Sequence, residues 1–313
     1  MFAVKRLCLP ERMTGYSHEL LDEILKRCHH LEYLKVSSTY AVWGWSQHLV
    51  PVVLNNMPHL QHLEFQTSDL KGFHLSVLIR ACRRLLTFKA YFVVETPDKV
   101  VEALIERHSE SLKCCQLYGT GQLTSLRILG LLTSCSRLEV LALMTSPIGW
   151  LPQKMLTLHR IAWARLRGNG EAAVEASDLE KISCPTSAPW VCRDLRVLRI
   201  FYTPSPAPLP PTPPKPGPDP LGHEILPRVL YERINTLSKL EELRLGLPED
   251  YSLHRTLSTE HQWIQKIKEA LQAFAKLDRL LKLELRGLGP FVSKAELSRI
   301  RKKHWKDIQW VHF

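Results

Sequence analysis

Short strings of spaced aliphatic residues return along this chain at near-constant intervals, and that recurrence restricts the fold more than any other feature. The clearest copy is Leu138–Ile148, LEVLALMTSPI, with Leu138, Leu141, Leu143 and Ile148 at its apolar places and Ser146 at its small polar one. The central Val140–Met144 alternates as a strand does, so Leu141 and Leu143 face a core while Val140, Ala142 and Met144 face away. A unit this short cannot bury its own apolar side, so it requires neighbours of the same kind.

Copies begin at Val4, Leu31, Leu60, Leu85, Leu112, Leu138, Leu158, Leu195, Leu240, Leu280 and Trp305. A leucine-rich repeat, L-x-x-L-x-L-x-x-N-x-L, has a period of roughly 20–29 residues, and every interval from Val4 to Leu138 falls inside it. Beyond Leu138 the spacing becomes uneven, and the widest interval, Leu195 to Leu240, explains itself. Within it lies Thr203–Pro220, TPSPAPLPPTPPKPGPDP, and removing that stretch restores the spacing of the earlier copies. Ten of the chain's 21 prolines sit there. Proline lacks the N–H that a helix or central strand needs, so the stretch reads as a disordered surface insertion at 203–220. A P-x-x-P ligand for SH3 or WW domains is the alternative, with Lys215 nearby. The expected fold is an α/β leucine-rich-repeat solenoid: a right-handed superhelix over 1–313 as one domain, its parallel sheet concave and its helices convex.

Helices are expected at Ser17–Cys28, where Leu20, Leu21, Ile24, Leu25 and Cys28 form a stripe, and again over Leu75–Cys82 and Val100–Arg107. Cys28, Cys82, Cys135 and Cys192 each lie three places before a repeat's first aliphatic position. Met57, Met155, Leu237 and Leu277 fill the same phase, so the slot is apolar and the thiols are core. Zinc ligation by Cys28, His29 and His30, or by Cys184 and Cys192, lacks paired C-x-x-C spacing. No metal or cofactor is expected. Trp43 and Trp45 are expected to close a gap between a strand and a helix.

No apolar run of the roughly 18 residues needed to span a bilayer exists. The start, MFAVKRLCLPERM, is too short and too charged for a signal peptide, so the expected compartment is cytoplasmic or nuclear. The first strand begins at Val4, which leaves no room for a polar N-terminal cap; the expectation is a missing N-terminal part, testable by hydrogen exchange of that strand. The formal charge is +11. Its densest piece, RIRKKHWK at Arg299–Lys306, reads as the solvated face of a last helix rather than a nucleic-acid or localisation patch. The chain is not expected to be an enzyme: G-x-S-x-G, H-E-x-x-H and G-x-x-x-x-G-K-[ST] are all absent. GNGEAA at Gly168–Ala173 fits a G-x-G-x-x-A string, but Glu171 would set a carboxylate where a pyrophosphate docks.

Binding is therefore expected on the open sheet face, at the third, fifth and seventh places of each repeat. These hold the basic Arg6, Lys35, Lys89, Arg160, Arg199, Arg244, Lys282 and Arg286 and the acidic Glu64, Glu242, Glu284 and Asp307. Tyr33, Tyr91, Tyr118, Met144 and Phe201 lie between them, and aromatic side chains with arginine carry most interface energy. An acidic or phosphorylated protein segment is expected across Lys89, Tyr91, Tyr118, Met144, Arg199 and Phe201, flanked by Lys35 and Arg244. No membrane partner is expected. A basic scaffold gripping nucleic acid through phosphates is the alternative, marked by steep salt dependence.

PWVCRDLRVLRI at Pro189–Ile200 resembles fungal F-box/leucine-rich-repeat proteins: a Trp-x-Cys before a repeat strand, then a polar or Pro-rich loop, then another repeat. Val229–Gly246 and the C-terminal run to Phe313 resemble the same family. The resemblance implies substrate recognition in a ubiquitin ligase, with Trp190 and Cys192 structural. No F-box precedes Val4, so the Skp adaptor and cullin are expected as partners only if an F-box exists upstream.

Overall fold

Ten strands arise where the aliphatic pattern recurs: β1 (Arg6–Leu9), β2 (Tyr33–Val36), β3 (His62–Phe65), β4 (Thr87–Tyr91), β5 (Cys114–Tyr118), β6 (Val140–Met144), β7 (Val197–Phe201), β8 (Glu242–Gly246), β9 (Lys282–Arg286) and β10 (Trp310–His312). They form one sheet in chain order, every neighbouring pair parallel. Parallel neighbours need a crossover, and helices α1 (Gly72–Ala81), α2 (Pro97–His108) and α3 (Ser125–Ser134) run between the strands β3 to β6. A further helix, α4 (Lys294–His304), precedes β10. The architecture is an α/β repeat solenoid. This computed structural model describes residues 4–9, 23–37, 56–65, 72–91, 97–118, 123, 125–144, 189–201, 233–246, 268–269, 271–272, 274, 277–286, 292–306 and 308–312. Ser17, Trp43, Trp45, Cys184, the glycine-rich string at 168–173 and the insertion at 203–220 lie outside them.

The alternation read from sequence sorts the side chains. Leu34, Leu63, Phe88, Cys115, Leu141, Leu198, Leu243 and Leu283 share one register position and are all fully buried. Two positions on, Val36, Phe65, Ala90, Leu117, Leu143, Ile200, Leu245 and Leu285 form a second buried row. Each large member contributes about 1.5–3 kcal/mol by leaving water. The helices cover this side closely. A Cβ added to Gly130 on α3 would stand 2.9 Å from Ile105 Cδ1 on α2.

The slot shared by Cys, Met and Leu is a structural position of the turn that starts each strand. Cys28, Met57, Cys82, Cys135, Cys192, Leu237 and Leu277 are buried. In all of these repeats but one, the slot's carbonyl accepts from the amide three places on, as Leu138 N to Cys135 O at 3.3 Å and Leu195 N to Cys192 O at 3.2 Å. Burial raises the Cys82 and Cys135 thiols to about 12 and Cys192 to about 11, so these sulfurs stay protonated and unreactive.

The departure is at Cys82. There the Leu85 amide donates instead to His108 Nδ1 at 3.2 Å, while His108 Nε2–H donates to Ile79 O at 2.9 Å. Those two bonds fix a neutral tautomer at the end of α2 and tie it to the end of α1. Burial, with the Arg107 charge as a smaller cause, holds this imidazole below its ordinary 6.5, against the Ile79 bond. The neutral ring is the form that the fold retains, so its stabilisation is complete above 6.5 and lost as pH falls through the lower folded value. His108→Gln is expected to flatten the acid side of the stability curve in that window, measured by urea unfolding between neutral and mildly acid pH.

Two expectations need correction. The spacing of the aliphatic strings predicts a strand at Leu158–Trp163, but β6 pairs directly with β7, Val140 to Val197 and Met144 to Phe201. No strand stands between β6 and β7, and Leu158–Trp163, with Arg160, lies outside the described residues. A local apolar pattern does not make a repeat unless its backbone pairs with both neighbours. The last repeat is also shifted. Trp305 ends α4, with its amide bonded to Arg301 O at 3.0 Å and its buried indole Nε1 donating to Leu271 O at 3.2 Å. The strand starts later, Trp310 stands beside Lys282 and His312 beside Glu284, and Asp307 lies outside the described residues.

Candidate functional site

Register sets the outward residues in three parallel rows across the sheet, successive members separated by one strand spacing of about 4.8 Å. The first row carries Tyr33, His62, Thr87, Cys114, Val140, Val197, Glu242 and Lys282. The second carries Lys35, Glu64, Lys89, Gln116, Ala142, Arg199, Arg244 and Glu284. The third, present only where strands are longer, carries Tyr91, Tyr118, Met144, Phe201, Gly246 and Arg286. All eight expected contact residues thus fall in the second and third rows. For Tyr91, Met144, Phe201 and Arg286 the backbone position is described and the side chain is not.

The carboxylates on this face are sunk between cations. Glu64, Glu242 and Glu284 are only 8%, 6% and 1% exposed. Lys35 Nζ reaches Glu64 Oε1 at 2.9 Å and the Tyr33 hydroxyl donates to Glu64 Oε2 at 3.0 Å, with the Arg6 guanidinium 4.7 Å above the Tyr33 ring. Arg199 grips Glu242 with both arms, Nε to Oε1 at 2.7 Å and Nη2 to Oε2 at 2.9 Å. Arg244 shares Glu242 through its Nε and reaches Glu284 Oε2 through Nη1 at 3.2 Å. Two-armed guanidinium contacts are among the strongest ion pairs that proteins make.

Burial alone would raise the two paired glutamates, and the cations outweigh it. Glu64 lies below its ordinary 4.5 because Lys35 and the Tyr33 hydroxyl hold its charge, and Glu242 does because Arg199 and Arg244 do. Tyr33 is pushed up to about 12 by burial and then by Glu64. Burial also raises the Tyr118 hydroxyl, which lies 3.3 Å from Gln116 Oε1 and beside Arg199.

Counting charges along the sequence gives this face a basic excess. Position by position, Lys35, Arg199 and Arg244 are each committed to a carboxylate of the same face. Lys89 differs: it stands between Glu64 and Gln116, and no carboxylate lies within ion-pair distance of it among the described residues. A signal for these pairs was present in the sequence. Aligning repeats by phase sets Lys35 beside Glu64 and Arg244 beside Glu284, whereas the diagonal grip of Arg199 on Glu242 needs side-chain geometry. Among the described residues no three His, Cys, Asp or Glu side chains gather as a metal site, and no helix is long and apolar enough to cross a membrane.

No family model and no curated protein matches this chain. Among solved structures it is similar to an internalin (inlF) from Listeria monocytogenes, at 11% identity over 92% of this chain, with a TM-score of 0.36. The likeness spans 63% of the internalin's own length.

Proposed function

We propose that this chain is a protein-interaction module whose open sheet face receives an extended acidic or phosphorylated segment of a partner protein. The observation that carries the reading is the register. Five adjacent strands, β4 to β8, bring Lys89, Tyr118, Arg199 and Arg244 into two neighbouring rows with Tyr91, Met144 and Phe201. Strands pack about 4.8 Å apart and helices about 8–10 Å apart, so a stack of such units bends towards its strands and makes that face concave. Parallel crossovers of this kind are right-handed in nearly all folds, which supports a right-handed superhelix. The role is binding rather than catalysis.

The finer reading, substrate recognition for a ubiquitin ligase in cytoplasm or nucleus, is supported by the resemblance at Pro189–Ile200. Its test is recovery of the Skp adaptor by a product extended upstream. The binding face is tested separately by affinity capture from cell extract with quantitative mass spectrometry. Lys89→Glu and Tyr118→Ala are expected to lower capture of specific partners about tenfold or more, as hot-spot losses above about 1.4 kcal/mol do. Arg107→Ala on the helical side is expected to leave it unchanged, and equal loss from both faces would sink the assignment. Arg199→Glu is a poor probe, because it would set a second carboxylate against Glu242.

A further inference from the structure

We propose that α4 is a second, independent binding site, and that its ligand is the phosphate backbone of nucleic acid. From Lys294 to Lys306 the sequence carries six cations and one carboxylate, Glu296. Read as sequence, this is a solvated helix face. Three features of the fold argue for more.

The first is partnering. Many exposed cations elsewhere are matched across neighbouring repeats, as in Lys5 with Glu32 at 2.9 Å, Lys113 with Glu139 at 2.8 Å and Arg196 with Glu241 at 2.9 Å. On α4, Arg301, Lys302 and Lys303 have no carboxylate within ion-pair distance among the described residues, and Glu296 is taken by Lys268 at 3.1 Å. Arg299 approaches Glu296 only at 3.9 Å. Basic residues in a last helical turn do favour the helix dipole, but by only about 0.3–1 kcal/mol each, and the dipole does not require them on one face.

The second feature is arrangement. Ala295, Ser298, Arg299, Lys302 and Lys303 recur at helical spacing and line a shallow groove of about 510 Å³. Cations one turn apart are about 5–6 Å from each other. A duplex carries one negative charge per ~1.7 Å of axis, so such a row meets phosphates along its length. Small Ala295 and Ser298 let a backbone approach closely. An anionic membrane would want Trp, Phe or Leu beside the cations, and this groove has none.

The third feature is rigidity. Leu297 and Ile300 are buried on the opposite side, and the Ser293 hydroxyl caps the helix by accepting from Glu296 N at 3.2 Å. The buried Trp305 indole pins the other end to Leu271 O. The cationic row is therefore held in place before any ligand arrives, which lowers the ordering cost of binding.

The test is fluorescence anisotropy of the full chain with a labelled mixed-sequence DNA duplex across a salt series. Three phosphate contacts predict a log–log salt slope steeper by roughly 2.7 than in R299E/K302E/K303E, or roughly 40-fold in affinity between about 50 and 200 mM salt. The alanine triple at the same positions removes the same three contacts and is expected to show the same shallower slope, and circular dichroism melts of all three proteins should coincide. Lys35→Ala with Lys89→Ala on the sheet face is expected to bind the duplex like wild type. Equal affinity and slope for wild type and triple would overturn the proposal. Capture of phosphatidylserine vesicles, but not the duplex, through these three residues would overturn it as well.

Discussion

Leu141→Ala is expected to lower stability by about 3–5 kcal/mol, read as a shift in the urea unfolding midpoint. Leu141 is fully buried between Cys115 and Leu198, in the middle of the row that the whole sheet shares. The backbone on both sides is held by ladder bonds, so the cavity cannot collapse cheaply. A solenoid's stability is close to a sum over repeats and their nearest neighbours. The same change should therefore split one unfolding transition into two, with β1–β5 and β7–β10 melting separately. A midpoint shift equivalent to less than about 1 kcal/mol would show that Leu141 does not face a shared interior.

Glu242→Gln is expected to cost about 2–4 kcal/mol at neutral pH. Removing one partner of a buried ion pair typically costs about 3–5 kcal/mol, and the figure here is lower because Arg199 and Arg244 are each about a third exposed. The loss leaves two guanidinium groups beside each other without the carboxylate that they share. Acid should act in the same direction. The folded values of Glu242 and Glu64 lie below 4.5, so the stability they contribute is present above 4.5 and lost as pH falls through those lower values. Wild type should therefore lose stability below that pH more steeply than Glu242→Gln. Parallel acid limbs for the two proteins would show that Glu242 does not titrate from an ion-paired state.

These two expectations rest on different kinds of information. Leu141 is legible in the sequence, because the near-constant interval between aliphatic strings and the alternation within each string fix both its strand and its direction. The same reasoning located nine of the ten strands, the buried cysteine slot and the rows that hold Lys35, Tyr118 and Arg199. It departs from the structure between β6 and β7, which pair directly, and at Trp305, which closes α4 while the last strand begins at Trp310. It also passed over His108. A histidine that replaces one backbone bond of a recurring turn has no sequence signature of its own.

What the sequence determined by itself is the period, and through it which side of each strand meets the interior, because aliphatic spacing is set by backbone geometry that every residue shares. What only the tertiary structure decided is how charges on the open face are used. Glu242 answers Arg199 from one strand and one row away, and a pairing of that kind depends on side chains crossing between strands that are far apart in the chain. Nothing local encodes such a contact, since it exists only after the sheet has brought the two strands to their common spacing.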